Sequence, residues 1–155
     1  MNPGAFMRRA IDLARQSVDA GGGPFGAVVV RDGRVIAEGT NAVTSRNDPT
    51  AHAEIVAIRA ACARLGRFSL AGCEIYSSGE PCPMCLGAIY WARLDRVFYA
   101  ADRTDAARIG FDDAAIYDEI ALPAEERRIP MRRLLTEEAQ AVLDAWRDKP
   151  DKTPY

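Results

Sequence analysis

One histidine, His52, stands among 155 residues, so any site that needs imidazole has a single place to find it. Long apolar runs are missing. None approaches the ~18 residues of a membrane-spanning helix, and no span is expected. An excess of one charge is missing too. Twenty Lys and Arg against 22 Asp and Glu leave a formal net charge of −2. That gives no global basic field to attract nucleic acid. Met1–Arg15 lacks the charged, apolar and small-residue regions of a secretion signal; it carries Asp12 and helical spacing instead. Cysteines number only four, and two of them have a metal reading, so a disulfide framework is not expected. A reducing cytoplasm is the expected location, and it keeps thiols available for metal. Internal repeats, low-complexity tracts and linkers are absent. A single domain over 1–155 is therefore expected.

Hydrophobic residues make up 48% of the chain, enough for a core. Phe6, Ala10, Leu13, Ala14 and Val18 recur at helical spacing, which predicts a helix over Asn2–Ala20. Gly21-Gly22-Gly23-Pro24 ends it; a glycine run between helix and strand has the reverse of phosphate-loop order. Ala27–Val30 reads as a buried strand, Asp32-Gly33 as a hairpin turn and Arg34–Gly39 as the return strand. Asn41 follows, then a polar loop over Val43–Asn47. Asp48-Pro49 reads as the cap and first position of a helix over Pro49–Leu65. Cys73–Ser77 is a third strand, Pro83–Ala92 a helix and Arg96–Ala100 a fourth strand, parallel to the third. Thr104–Ile120 is mixed, with short helical turns. Ile129–Leu134 is expected as a fifth strand, and Thr136 starts a last helix to about Arg147. The sum is an α/β fold: a five-stranded mixed sheet with helices on both faces.

The chemistry-bearing stretch is Glu80-Pro81-Cys82-Pro83-Met84-Cys85. With a helix starting at Pro83, Cys82 and Cys85 lie side by side at its first turn. The positive end of the helix there lowers thiol pKa and favours the metal-binding form. His52, 30 residues before Cys82, completes a His-Cys-Cys set that suits zinc. Three protein ligands leave the fourth tetrahedral position for water, the arrangement of a catalytic site. Glu54 is then the candidate base beside that water. Residues two apart on a helix point about 200° apart, from ~100° per residue. His52 and Glu54 can therefore serve one site only near the helix start. H-x-E followed by P-C-x-x-C is the signature of zinc-dependent nucleobase deaminases.

On this motif the chain resembles the cytidine-deaminase-like superfamily, and within it the bacterial guanine deaminases, nearly end to end. The resemblance rests on Gly23 through Ala27, Asn41, Asp48 through Glu54, Glu80 through Trp91 and Thr104-Asp105-Ala106. It extends over Gly110 through Asp113, Pro123 through Arg127 and the terminal Tyr155. It implies a three-layer αβα sandwich, one zinc ion per subunit and hydrolysis of guanine to xanthine and ammonia. It also implies that Asn41 bonds the polar edge of the base and that the Ala53 N–H holds a ring carbonyl. Phe25 and Trp91 would flank the ring. Asp113, or Asp112 in its place, would accept from the guanine N1–H or amine and assist protonation of that amine. A homodimer is implied, with residues 136–155 exchanged so that Tyr155 closes the neighbour's pocket. One departure is visible: Gly79 stands where the similar enzymes usually carry cysteine. A carboxylate at the base edge favours guanine, because adenine presents an acceptor at N1.

Other readings share parts of this pattern. A tRNA-acting adenosine deaminase has the same metal site and needs a clustered basic face. Arg127-Arg128 and Arg132-Arg133 are the basic pairs here, with acids nearby. A deaminase of guanosine, cytosine, cytidine or a triazine shares the motif as well. A structural zinc module would add Cys62 and Cys73, but these lack knuckle spacing and read as core thiols. A Cys–His hydrolase would leave the second cysteine and Glu54 without a role. The expected partner is a small purine base, with neither nucleic acid nor membrane.

Overall fold

Ala27-Val28-Val29-Val30 forms the middle of the sheet in a computed structural model that describes residues 2–155. The chain divides into two compact units, Met1–Ala114 and Ala115–Tyr155. In the first, α1 (Pro3–Asp19) is followed by β1 (Gly26–Arg31) and β2 (Arg34–Thr40). Then come α2 (Val43–Arg46), α3 (Ala53–Leu65), β3 (Cys73–Gly79), α4 (Pro83–Trp91), β4 (Arg96–Ala101) and α5 (Arg103–Arg108). The sheet order is β2-β1-β3-β4. β1 pairs antiparallel with both β2 and β3, while β3 and β4 run parallel across the α4 crossover. The sheet is mixed, as expected, but it has four strands. Ile129–Leu134 forms no strand. An apolar run becomes a strand only where a neighbour takes its ladder hydrogen bonds, and this one pairs with none of the four described strands.

Alternate residues of β1 serve opposite faces. Val28 and Val30 pack with Phe6, Ala10 and Leu13 of α1. Ala27 and Val29 pack with Ala53, Ala57, Ile58 and Ala61 of α3. Val28 and Val29 are fully buried, each stabilising the fold by about 1.5–3 kcal/mol. Asn2 caps α1, its Oδ1 accepting from the Ala5 N–H at 2.9 Å, and Pro3 occupies the first turn. Asp32 and Gly33 both have positive φ, 50° and 70°, as the two-residue hairpin requires. Gly39 lets α3 lie on the sheet: a Cβ there would collide with the Ala53 carbonyl oxygen and stand 2.7 Å from the Ala57 nitrogen.

Two local expectations are corrected. Val43–Arg46 is a short helix rather than a loop. α3 starts at Ala53, not Pro49, and its N-cap is His52. Asp48 does not cap it. The Asp48 carboxylate accepts instead from the Thr50 N–H at 2.9 Å and the Thr50 hydroxyl at 2.7 Å, closing a side-chain turn.

In the second unit, α6 (Ala114–Ala121) continues from Ala114, followed by a 3₁₀ turn (Ala124–Glu126) and α7 (Thr136–Asp148). Glu119 accepts from the Arg128 backbone N–H at 2.9 Å and pairs with its guanidinium at 3.1 Å, fixing the loop after α6. Val142 and Leu143 on α7 are each 69% exposed. No described helix is long and apolar enough to cross a membrane.

Candidate active site

The N-cap residues of two helices meet. His52 precedes α3 in an extended conformation (φ −65°, ψ 157°), and Cys82 precedes α4 likewise (φ −65°, ψ 169°). Pro81 and Pro83 flank Cys82, and Pro83 presets the first helical turn. His52 Nδ1 lies 3.4 Å from Cys82 Sγ and 3.4 Å from Cys85 Sγ. All three donor atoms lie within 4.8 Å of one another. Bond lengths of ~2.3 Å to sulfur and ~2.05 Å to nitrogen put tetrahedral nitrogen and sulfur ligands about 3.6 Å apart, so these residues fit zinc. Cys62 and Cys73 are free thiols outside this group.

The α3 start resolves the facing problem posed by His52 and Glu54. His52 is not in the helix, so the ~100° rotation per residue does not apply between them. Glu54, in the first turn, is buried at 5% exposure and turns to the same side.

The electrostatics suit metal capture. The Cys85 N–H points at Cys82 Sγ at 3.4 Å. A hydrogen bond from Cys85, then contact with His52, hold the Cys82 thiol down to about 4. The hydrogen bond to Cys82 and burial push the Cys85 thiol up. The His52 pKa is raised, chiefly by its bond to Cys82. Burial lifts Glu54 above the usual carboxylate range, against hydrogen bonds from its own backbone, Ser77 and Cys85. Ser77 Oγ donates to Glu54 Oε1 at 2.8 Å, and Cys85 Sγ lies 3.4 Å from Oε2.

These groups sit at a cavity of about 410 Å³, within the ~300–1,000 Å³ of small-molecule sites. Phe25, Asn41, His52, Glu54, Cys82 and Asp113 all line it. Asn41 Oδ1 accepts from the Val43 N–H at 3.2 Å, which leaves its amide NH₂ for a ligand. Asp113, not Asp112, is in the wall; Asp112 Oδ1 accepts from the Ala114 N–H at 2.9 Å. Burial, then the Cys82 charge, raise the Asp113 pKa. Ala53 opens α3, where the helix itself leaves the N–H unsatisfied. Trp91 is 65% exposed at the end of α4 and is not in this wall. Tyr155 belongs to the second unit and is 77% exposed. At Gly79 an added Cβ would stand 3.1 Å from the Phe25 ring, so this glycine gives Phe25 its place. Phe25 in turn meets Phe111 edge-on, centroids 5.1 Å apart.

Residues 2–101 match the cytidine and deoxycytidylate deaminase zinc-binding region, a span that holds His52, Glu54, Cys82 and Cys85. The chain belongs to the cytidine and deoxycytidylate deaminase family. Within the family it is 58% identical to the guanine deaminase of Bacillus subtilis over 100% of both chains. The crystal structure of a Bacillus subtilis guanine deaminase matches with TM-score 0.97 over 100% of this chain and 99% of that one. A tRNA-specific adenosine deaminase of Aquifex aeolicus is 32% identical over 91% of each chain. A guanine deaminase structure from Nitrosomonas europaea matches with TM-score 0.70 at 39% identity, covering 72% of this chain and 65% of that one.

Two residues, Ser77 and Ser78, and the pairing of Glu80 escape sequence reading. Ser77 grips Glu54. The Ser78 hydroxyl accepts from the Gly26 N–H at 3.0 Å, joining the cavity floor to β1. Glu80 pairs with Arg103 Nε at 2.7 Å across the cavity wall. The available signal was a pair of hydroxyl residues ending a buried strand just before the cysteine motif.

Proposed function

We propose that this chain hydrolyses guanine to xanthine and ammonia, with one zinc ion per subunit on His52, Cys82 and Cys85. Zinc held there supplies a Lewis acid that makes water nucleophilic at neutral pH. Glu54 accepts a proton from the attacking water and delivers it to the ring nitrogen beside the reacting carbon. Asn41 donates its amide N–H to the polar edge of the base, and the Ala53 N–H holds a ring carbonyl. Asp113 accepts from N1–H or the exocyclic amine and, with its raised affinity for protons, helps protonate the amine as it leaves. Phe25 covers one face of the ring.

The observation that carries the reading is the meeting of three metal-ligating atoms with buried Glu54, Asn41 and Asp113 at one cavity. End-to-end likeness to a guanine deaminase selects the base. The active form is a homodimer in a reducing cytoplasm, with residues 136–155 exchanged between subunits. Tyr155 then closes the pocket of the other copy. The open apolar side chains of Val142, Leu143 and Trp91 support an assembly that covers them.

Ammonia release across guanine, guanosine, adenine, cytosine, cytidine and a tRNA substrate tests the assignment. Guanine is expected to exceed the rest by 10² or more in kcat/KM. Faster turnover of the tRNA or of cytidine would overturn it.

A further inference from the structure

We infer that Ser77 is a positioning residue for the reaction: its hydroxyl fixes the Glu54 carboxyl so that proton exchange runs through Oε2 alone. This rests on the proposed reading of Glu54 as proton carrier.

Ser77 is fully buried on β3, paired with Ala27 of β1 on one side and Tyr99 of β4 on the other. A residue held by two neighbouring strands is among the most rigid platforms a fold offers. Its hydroxyl lies on the sheet face of Ala27, its β1 partner, and Ile75, two residues before it, both core residues, where an unbonded hydroxyl is costly. It meets that need by donating to Glu54 Oε1 at 2.8 Å.

The second side-chain contact of the carboxyl is Cys85 Sγ, 3.4 Å from Oε2. A cysteine that serves as a metal ligand is a thiolate and has no proton to donate. With Cys85 so used, the Ser77 hydroxyl is the side-chain donor that stays on Glu54. Oε1 remains occupied by Ser77, and Oε2, the oxygen that faces Cys85, loses its side-chain donor. A proton taken from water binds at Oε2 and leaves from Oε2, while the Ser77 bond persists in both protonation states. The carboxyl thus needs no rotation between accepting and delivering.

The test is a double-mutant cycle of Ser77→Ala and Glu54→Gln, with zinc content measured throughout. Ser77→Ala is expected to keep zinc and KM within twofold and to lower kcat about 10- to 100-fold, the scale of one hydrogen bond to a charged group. In the Glu54→Gln background the same change is expected to cost less than threefold. Undiminished kcat in Ser77→Ala, or an equal loss in both backgrounds, would overturn the inference. Crystal structures of the zinc-loaded wild type and Ser77→Ala give a readout independent of turnover. A rotated or split Glu54 carboxyl in the variant is expected, and an unmoved one contradicts the role. A wild type that releases no ammonia from guanine would refute the substrate assignment, while the crystallographic comparison would still decide on Ser77.

Discussion

Gly39→Ala tests how the fold delivers the site. Gly39 lies on β2 opposite Ala27, under the first turns of α3. The new Cβ would collide with the Ala53 carbonyl oxygen and lie 2.7 Å from the Ala57 nitrogen and 3.2 Å from its Cα. Ordinary carbon contacts are about 3.5–4.0 Å. Every offending atom is backbone, so no rotamer change relieves the clash, and α3 must retreat by roughly 1 Å. Overpacking of this kind costs about 1–3 kcal/mol, offset by about 0.5–1 kcal/mol because alanine suits a strand better than glycine. The net loss should lower Tm by about 2–8 °C in a chain of this length. The same retreat moves His52 and Glu54, which sit at the start of α3. A misplacement of ~1 Å at a reacting group costs about 10²-fold in rate. Calorimetry at fixed zinc concentration, metal analysis and steady-state ammonia release should therefore all change together. A variant with Tm within 1 °C and kcat within twofold of wild type would refute the argued contact of helix on sheet.

Glu54→Gln should keep zinc and lose about 10²- to 10⁴-fold in kcat, the range for a general base; near-native turnover would remove Glu54 from the reaction. Asp113→Asn should keep zinc and lower kcat/KM for guanine about 10- to 100-fold, because the amide replaces a charged acceptor by a neutral one, turns one acceptor oxygen into a donor and cannot carry a proton. Unchanged guanine kinetics would place Asp113 outside the substrate contacts. Arg9 grips Glu38 with two hydrogen bonds of 2.7 Å, and that bond holds the Glu38 carboxyl below its usual 4.5. A lowered folded pKa stabilises above the unfolded value and is lost as pH falls through the folded one. Glu38→Gln should thus cost about 0.5–1 kcal/mol at pH 7, given the partial exposure of both side chains. The difference should fade below pH ~4.5 and in high salt; urea unfolding at pH 7 and pH 3 reads it, and an equal loss at both contradicts the pairing.

The His-Cys-Cys group that could hold a metal was legible because the motif fixes it by spacing: two cysteines three apart at a proline-marked helix start, and one histidine. The central strand was legible because four consecutive apolar residues have few other fates. The start of α3 was misread because Asp48-Pro49 imitates a cap, whereas the Asp48 side chain is used on Thr50. The actual cap position is His52, which gives no ordinary cap signal because its side chain turns to the cysteines. The fifth strand was misread because Ile129–Leu134 has the composition of a strand, and composition does not show whether a partner strand exists. Ser77 was invisible for a related reason. Its contact with Glu54 spans 23 residues and arises only when α3 lies on β3. Of the two candidate aspartates, Asp113 lines the cavity, while Asp112 accepts from the Ala114 N–H at the start of α6, a difference that composition does not show.

The central claim is that His52, Cys82 and Cys85 hold one catalytic zinc ion. Metal analysis paired with turnover, before and after chelation and on adding zinc back, tests it most directly. The expected result is one zinc ion per chain, ammonia release from guanine falling below a hundredth on its removal, and recovery with one equivalent restored. Metal-free protein that releases ammonia at the full rate would contradict the account.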